Sequence, residues 1–193
     1  MTYLLLLVAY LLGGIPFGYV LVRMKTGQDV RVMGSGNIGA TNVARTSGRL
    51  IGMGTLLLDI SKGGLAVWMM AEWGPGEPMF LALAALAVIL GHAFPVFLKF
   101  AGGKAVARFV GAFLYLAPVP MLAITIVFMA TVWRTRYVSL GSVLGAALVP
   151  FAIWMIDHSS NWIVGAALVG GWFIIWRHRG NIARLRAGTE NKL

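Results

Sequence analysis

YLLLLVAYLLGGIPFGYVLV, residues 3–22, holds no charged side chain, and Arg23 and Lys25 follow within three residues. Twenty apolar residues in a helix reach across the ~30 Å hydrocarbon core of a bilayer. A secretory signal carries its positive charge ahead of the apolar run. Here the charge comes after, which predicts a retained span with the N-terminus outside. The rest of the chain agrees. It is 59% hydrophobic and only 11% charged, with a mean hydropathy of +0.83, where a soluble domain carries about 25% charged residues.

Six further apolar runs follow: Leu50–Ala71, interrupted by Asp59 and Lys62; Met79–Leu90, extending to Leu98 if GHAFPVFL is counted; Ala105–Ala117; Pro120–Trp133; Val138–Ile156; and Trp162–Trp176. The two prolines of APVP, residues 117–120, separate the fourth run from the fifth. Charge supports this count. With the N-terminus outside and seven spans, the inner segments are 23–49, 99–108, 134–137 and 177–193. These hold fifteen of the sixteen Lys and Arg, Lys62 being the exception, as the positive-inside rule requires. The expected fold is therefore an all-α integral membrane protein, one domain over residues 1–193, with seven transmembrane helices and a cytoplasmic C-terminus. The net charge of +10 then reports topology and attraction to anionic lipid, and no nucleic-acid partner is expected. Cysteine is absent, and no His/Asp/Glu cluster has metal-ligand spacing, so neither a metal nor a cofactor is expected.

Four polar stretches converge on the inner face: GSGNIGATNVAR (34–45), GHAFPVFLKFAGGK (91–104), RYVSLGS (136–142) and RHRGN (177–181). Gly34, Gly36 and Gly39 permit positive φ and close approach of backbone N–H groups to an anion. Asn37, Thr41, Asn42 and Ser35 add donors, and Arg45 adds charge. Helix packing through small residues explains glycine and alanine, but neither the two asparagines nor Arg45. Gly102 and Gly103 precede Lys104 at a helix start, where a lysine suits phosphate. A lysine snorkelling to headgroups is the plainer reading. His178 and Asn181 are three apart and share a helix face; a histidine there is either a proton carrier or a tail residue between arginines. His92 reads as packing or capping near Pro95. Asp59 and Lys62, deep in the second run, read as a mutual ion pair. A transporter for an organic phosphate is the competing class, but it needs a polar path through the bilayer, and only these two residues lie deep.

At these residues the chain resembles the bacterial acyl-phosphate:glycerol-3-phosphate acyltransferases over nearly its whole length. GSGNIGATNVAR matches that family's first motif almost letter for letter, GHAFPVFLKFAGGKAVA the second, and RHRGNI the third more loosely; RYVSLGS and LLDISKGG also fit. The resemblance implies an acyl transfer from acyl phosphate to the 1-hydroxyl of glycerol 3-phosphate, giving lysophosphatidic acid and phosphate in the first acylation of phospholipid synthesis. It implies an inner-membrane enzyme, expected to be monomeric, with a cytoplasmic-face site. Ser35, Arg45, Lys104, His178 and Asn181 are the residues carried over as catalytic. The loop glycines, Asn37, Thr41, Asn42, Gly102, Gly103 and Ser142 are carried over as substrate-binding. Ala101, Ala105, Arg108 and Gly180 stand where the family usually has lysine, glycine, threonine and glutamate. Arg108 is expected to restore part of the charge lost at Ala101.

Overall fold

The structure is a computed structural model describing residues 1–193; it is all-helical, without a strand. The chain forms two compact units, Met1–Ala112 and Phe113–Leu193. Five helical stretches are long and apolar enough to cross a membrane: Thr2–Thr26, Arg49–Trp73, Pro78–Leu98, Pro118–Thr135 and Val138–Asp157.

In the first unit the opening apolar run is not one helix, as its composition suggests, but two: α1 (Thr2–Gly14) and α2 (Phe17–Thr26). Pro16 has no N–H to continue the ladder, and it holds Ile15 in an extended conformation, as a residue before proline tends to be. The break leaves carbonyls in an apolar setting, where an unsatisfied group is costly. Lys62 answers them. Its ammonium donates to Ile15 O and, at 3.4 Å, to Gly13 O, and lies 4.8 Å from the centre of the Phe17 ring.

Lys62 belongs to α4 (Arg49–Trp73), which α3 (Ala40–Ser47) joins through Gly48. The unit continues through α5 (Pro78–Ala93), a 3-10 turn at Val96–Leu98, and the start of α6 (Val106–Leu116). Glycine sets the spacing of these helices. A Cβ at Gly13 would overlap the Val88 carbonyl, and one at Gly91 the Tyr10 carbonyl, so α1 and α5 touch backbone to backbone. Gly63 and Gly111 do the same for α4 and α6. Such small-residue seams are how helices associate where lipid removes the hydrophobic drive.

That close approach corrects the expectation for Arg108. It does not replace charge at Ala101. It is 2% exposed, in the first turn of α6, and its guanidinium grips both oxygens of Asp59, itself 1% exposed. The expected Asp59–Lys62 pair exists, at 3.2 Å, but as part of a buried triad of one anion and two cations. Arg108 Nε has no hydrogen-bond partner.

The second unit holds α7 (Pro118–Thr135), α8 (Val138–Ala152, running on into a π-turn at Ile153–Asp157), α9 (Asn161–Arg177) and α10 (Arg179–Arg186). The fourth and fifth apolar runs part at Ala117, and Pro118 opens α7, as the APVP reading expects. Gly171 lets α9 close on the Ala146 carbonyl of α8. Outward positions carry large apolar side chains such as Ile126, Trp133 and Trp172, the surface of a protein solvated by lipid.

Candidate functional site

The glycine-rich stretch is held from below by a small apolar core. Ile38 and Val43 from that stretch pack with Val22, Val30 and Leu98, and Tyr19, Met33 and Ile51 close around them. Leu98 comes from the segment that leads to Lys104, so the first two polar stretches share one core. Above it, Asn42 organises the backbone. Its buried amide nitrogen donates to Asn37 O at 2.9 Å and Met33 O at 3.0 Å, and its Oδ1 accepts from Ser35 N at 2.9 Å. These bonds make Asn42 the loop's internal scaffold. Asn37 Oδ1 accepts from Gly39 N at 2.9 Å. Gly34 and Gly36 both take left-handed φ, 56° and 69°. Ser35 lies between them, exposed at the crest, and Arg45 is exposed in the last turn of α3.

The second stretch folds against this loop. Gly103 N donates to His92 O at 3.3 Å. A Cβ on Gly103 would overlap His92 Nε2 and sit 3.1 Å from Asn37 Oδ1, and one on Gly102 would overlap the His92 carbonyl. Both glycines are required by contact, and Lys104 is thereby carried beside the first loop. His92 therefore does more than pack near Pro95: it is 2% exposed and forms the floor on which the Gly-Gly-Lys loop rests.

In the second unit His178 stands at the N-terminal boundary of α10, makes no side-chain capping bond there, and is buried. Its Nδ1 lies 2.8 Å from Ile174 O. A carbonyl only accepts, so Nδ1 carries the proton and Nε2 is the nitrogen that takes one up in the neutral ring. The side chain of His178 is thus not exposed to solvent, although it stands between Arg177 and Arg179. Ser142 lies on α8 and donates to Val138 O at 2.9 Å. One turn earlier, Ser139 Oγ donates to Glu190 Oε1 at 2.9 Å; Asn181 Nδ2 donates to the same oxygen at 2.6 Å, and Arg184 Nε to Oε2 at 2.7 Å. Burial raises the Glu190 pKa, but the bonds from Asn181, Ser139 and Arg184 outweigh it and hold the carboxyl below the ordinary glutamate value. Its hold on the tail is thus in force above that value and is lost only as pH falls through the depressed one.

The family model described as glycerol-3-phosphate acyltransferase matches residues 3–188. The chain belongs to that family. It is 43% identical to the glycerol-3-phosphate acyltransferase of Desulforamulus reducens, covering 100% of this chain and 95% of the relative. It is 48% identical to that of Trichlorobacter lovleyi, covering 95% and 93%. Among solved structures it is similar to PlsY (YgiH), described as an integral membrane glycerol 3-phosphate acyltransferase. The glycerol 3-phosphate form gives a TM-score of 0.94 at 36% identity, with 100% and 95% of the two chains covered. The lysophosphatidic acid form gives 0.91 at 35%, over the same shares. The protein is thus a membrane-embedded acyltransferase.

One departure of this acyltransferase from its family pattern now has a physical reading. Ala105 is buried with φ 63°, a conformation that costs a non-glycine residue roughly 1–2 kcal/mol. Glycine is the unstrained residue there. Ala105→Gly should raise the melting temperature or leave it unchanged, by thermal denaturation in detergent; a fall of several degrees would mean that the methyl group's packing outweighs the backbone cost. Glu190 and the floor role of His92 are what sequence reasoning missed. His92 lay inside a quoted stretch, but Glu190 carried no local signal.

Proposed function

We propose that the chain is an acyl-phosphate-dependent glycerol-3-phosphate 1-O-acyltransferase, making lysophosphatidic acid and inorganic phosphate in the first acylation of phospholipid synthesis. It crosses the bacterial inner membrane seven times, N-terminus outside, and works at the cytoplasmic face without metal or cofactor. The observation that carries this reading is the seating of the Gly-Gly-Lys loop on His92 against Asn37 of the glycine-rich loop. That seating supports a phosphate site that draws on loop backbone donors, Ser35 and Lys104. Both substrates carry phosphate, and such a site offers what phosphate needs: a cation and loop N–H groups.

The acyl phosphate is an activated mixed anhydride, so no covalent enzyme intermediate is required. The glycerol 3-phosphate 1-hydroxyl oxygen attacks the acyl carbon, the bond from that carbon to the phosphate oxygen breaks, and phosphate leaves with the electron pair. The hydroxyl proton passes to His178 Nε2 or to a substrate phosphate oxygen. Lys104 and Arg45 hold the phosphates; Ser35 and Asn181 donate hydrogen bonds. Gly34, Gly36, Gly39, Asn37 and Thr41, with Gly102 and Gly103, shape the rim in the first unit, and Ser142 binds substrate. Catalysis is positioning and charge stabilisation, while the acyl tail lies among apolar helices.

Purified protein given palmitoyl phosphate and glycerol 3-phosphate should release phosphate and form lysophosphatidic acid in equal amounts. Phosphate release without lysophosphatidic acid would assign another acceptor, or water. Neither product from folded protein would overturn the reading.

A further inference from the structure

The carboxylate of Glu190 draws three hydrogen bonds of 2.6–2.9 Å from Ser139, Asn181 and Arg184. It is the single acid in 177–193, beside Arg177, Arg179, Arg184, Arg186 and Lys192, and it is 9% exposed although it lies in a tail. The tail is fastened on both sides of it. Thr189 N donates to Arg184 O at 2.9 Å, and Leu193 N to Arg136 O at 2.8 Å. Lys192 lies over the Tyr137 ring, 5.5 Å from its centre. Ser139 is in the first turn of α8, where the helix dipole also favours an anion. The 187–193 segment is therefore a strap that brings one carboxylate to α8 and α10 together.

We propose that Glu190 is a positioning residue for the transfer reaction, setting the side chain of Asn181 through the carboxylate clasp; this rests on the catalytic role given to Asn181 above. A side-chain amide fits its pocket in two flips with nitrogen and oxygen exchanged. A carboxylate accepts only, so it holds the amide nitrogen of Asn181 toward it and thereby orients the second N–H of that nitrogen, the donor the transfer reaction uses. The charge-assisted bonds also tie the start of α8 to α10, so that Asn181 is held by two helices rather than one. Gly180, beside Asn181, offers no carboxylate. A side chain there would meet Arg184 first, at 3.6 Å. Glu190 reaches the same guanidinium from the strap.

The opposite function, a tail carboxylate occupying a phosphate position and blocking it, predicts the opposite sign. The experiment is a double-mutant cycle on the full chain in detergent, with palmitoyl phosphate and glycerol 3-phosphate, comparing wild type, Glu190→Ala, Asn181→Ala and the double variant, with Glu190→Gln as the conservative step. We expect Glu190→Ala to lower kcat by roughly 10- to 100-fold, with KM for palmitoyl phosphate within about twofold of wild type. Glu190→Gln, keeping acceptor oxygen but not charge, falls between. The double variant is no slower than Asn181→Ala, because Glu190 acts through Asn181. A rate increase in Glu190→Ala would establish the blocking tail and overturn the proposal. Multiplicative effects, or a loss that merely follows the folded fraction in every variant, would overturn it too. A wild-type rate in Asn181→Ala removes the functional reading of Asn181 and this proposal with it. An inactive Asn181→Ala beside a fully active Glu190→Ala removes this proposal alone.

Discussion

Replacing Asp59 by alanine should be the most destabilising single change in the first unit, and replacing Arg108 by threonine far milder. Charge accounting gives the asymmetry. The buried triad carries one negative and two positive groups, with 1% to 3% exposure. Removing Arg108 leaves Asp59 and Lys62 as a neutral pair at 3.2 Å and eliminates a guanidinium whose Nε has no acceptor. Removing Asp59 leaves two desolvated cations and no anion. Breaking a buried pair in this way costs about 3–5 kcal/mol, and for a chain of this size each kcal/mol lowers the melting temperature by roughly 2–4 °C. Lys62 also holds the carbonyls exposed at Ile15 and Gly13, so its displacement loosens the α1–α2 break. Thermal denaturation in detergent should show Asp59→Ala down by about 10 °C or more, and Arg108→Thr within a few degrees of wild type. If Arg108→Thr proves the worse variant, the triad is not the charge unit described here.

What the sequence disclosed and what it hid divide along the distance between interacting residues. The apolar runs are local signals, and each is helical, the first in two pieces; the APVP break is also local and is present. The same rule applied to Pro16 would have divided the first run. An uninterrupted apolar composition on either side concealed it, and the lysine that makes the break tolerable lies more than forty residues away in α4. The glycine-rich loop was legible because its glycines, asparagines and serine interact with one another. Arg108 was misread because position 101 was its neighbour in sequence, whereas its counterion is on another helix, brought near by Gly63 and Gly111. Ala105 was visible as a departure from the family pattern, but only the backbone shows that the position is left-handed. Glu190 had no motif at all. Its importance comes from a tail folding back onto α8 and α10, which composition does not encode.

Lys104→Ala should reduce lysophosphatidic acid formation by about 10³-fold, equivalent to roughly 4 kcal/mol of transition-state stabilisation. The lysine follows two glycines that cannot be replaced without collision with His92, so its loop is set before substrate arrives, and a preset cation meets developing charge on the departing phosphate without reorganising. Lys104→Arg keeps the charge but replaces a compact ammonium by a wide planar fork, and should recover only part of the rate. Gly103→Ala separates placement from charge. It retains Lys104, yet its methyl group would overlap His92 Nε2 and press on Asn37 Oδ1 at 3.1 Å, so the loop must lift away from the first motif. If position matters as argued, Gly103→Ala should lose at least 10²-fold with the ammonium intact, while the melting temperature drops by only a few degrees. A Lys104→Ala enzyme within tenfold of wild type would remove Lys104 from the chemistry and return it to the role of an interfacial lysine reaching for headgroups. A fully active Gly103→Ala would show instead that the ammonium finds its phosphate without a fixed loop. The two variants therefore test separately the charge and the geometry on which the functional reading stands.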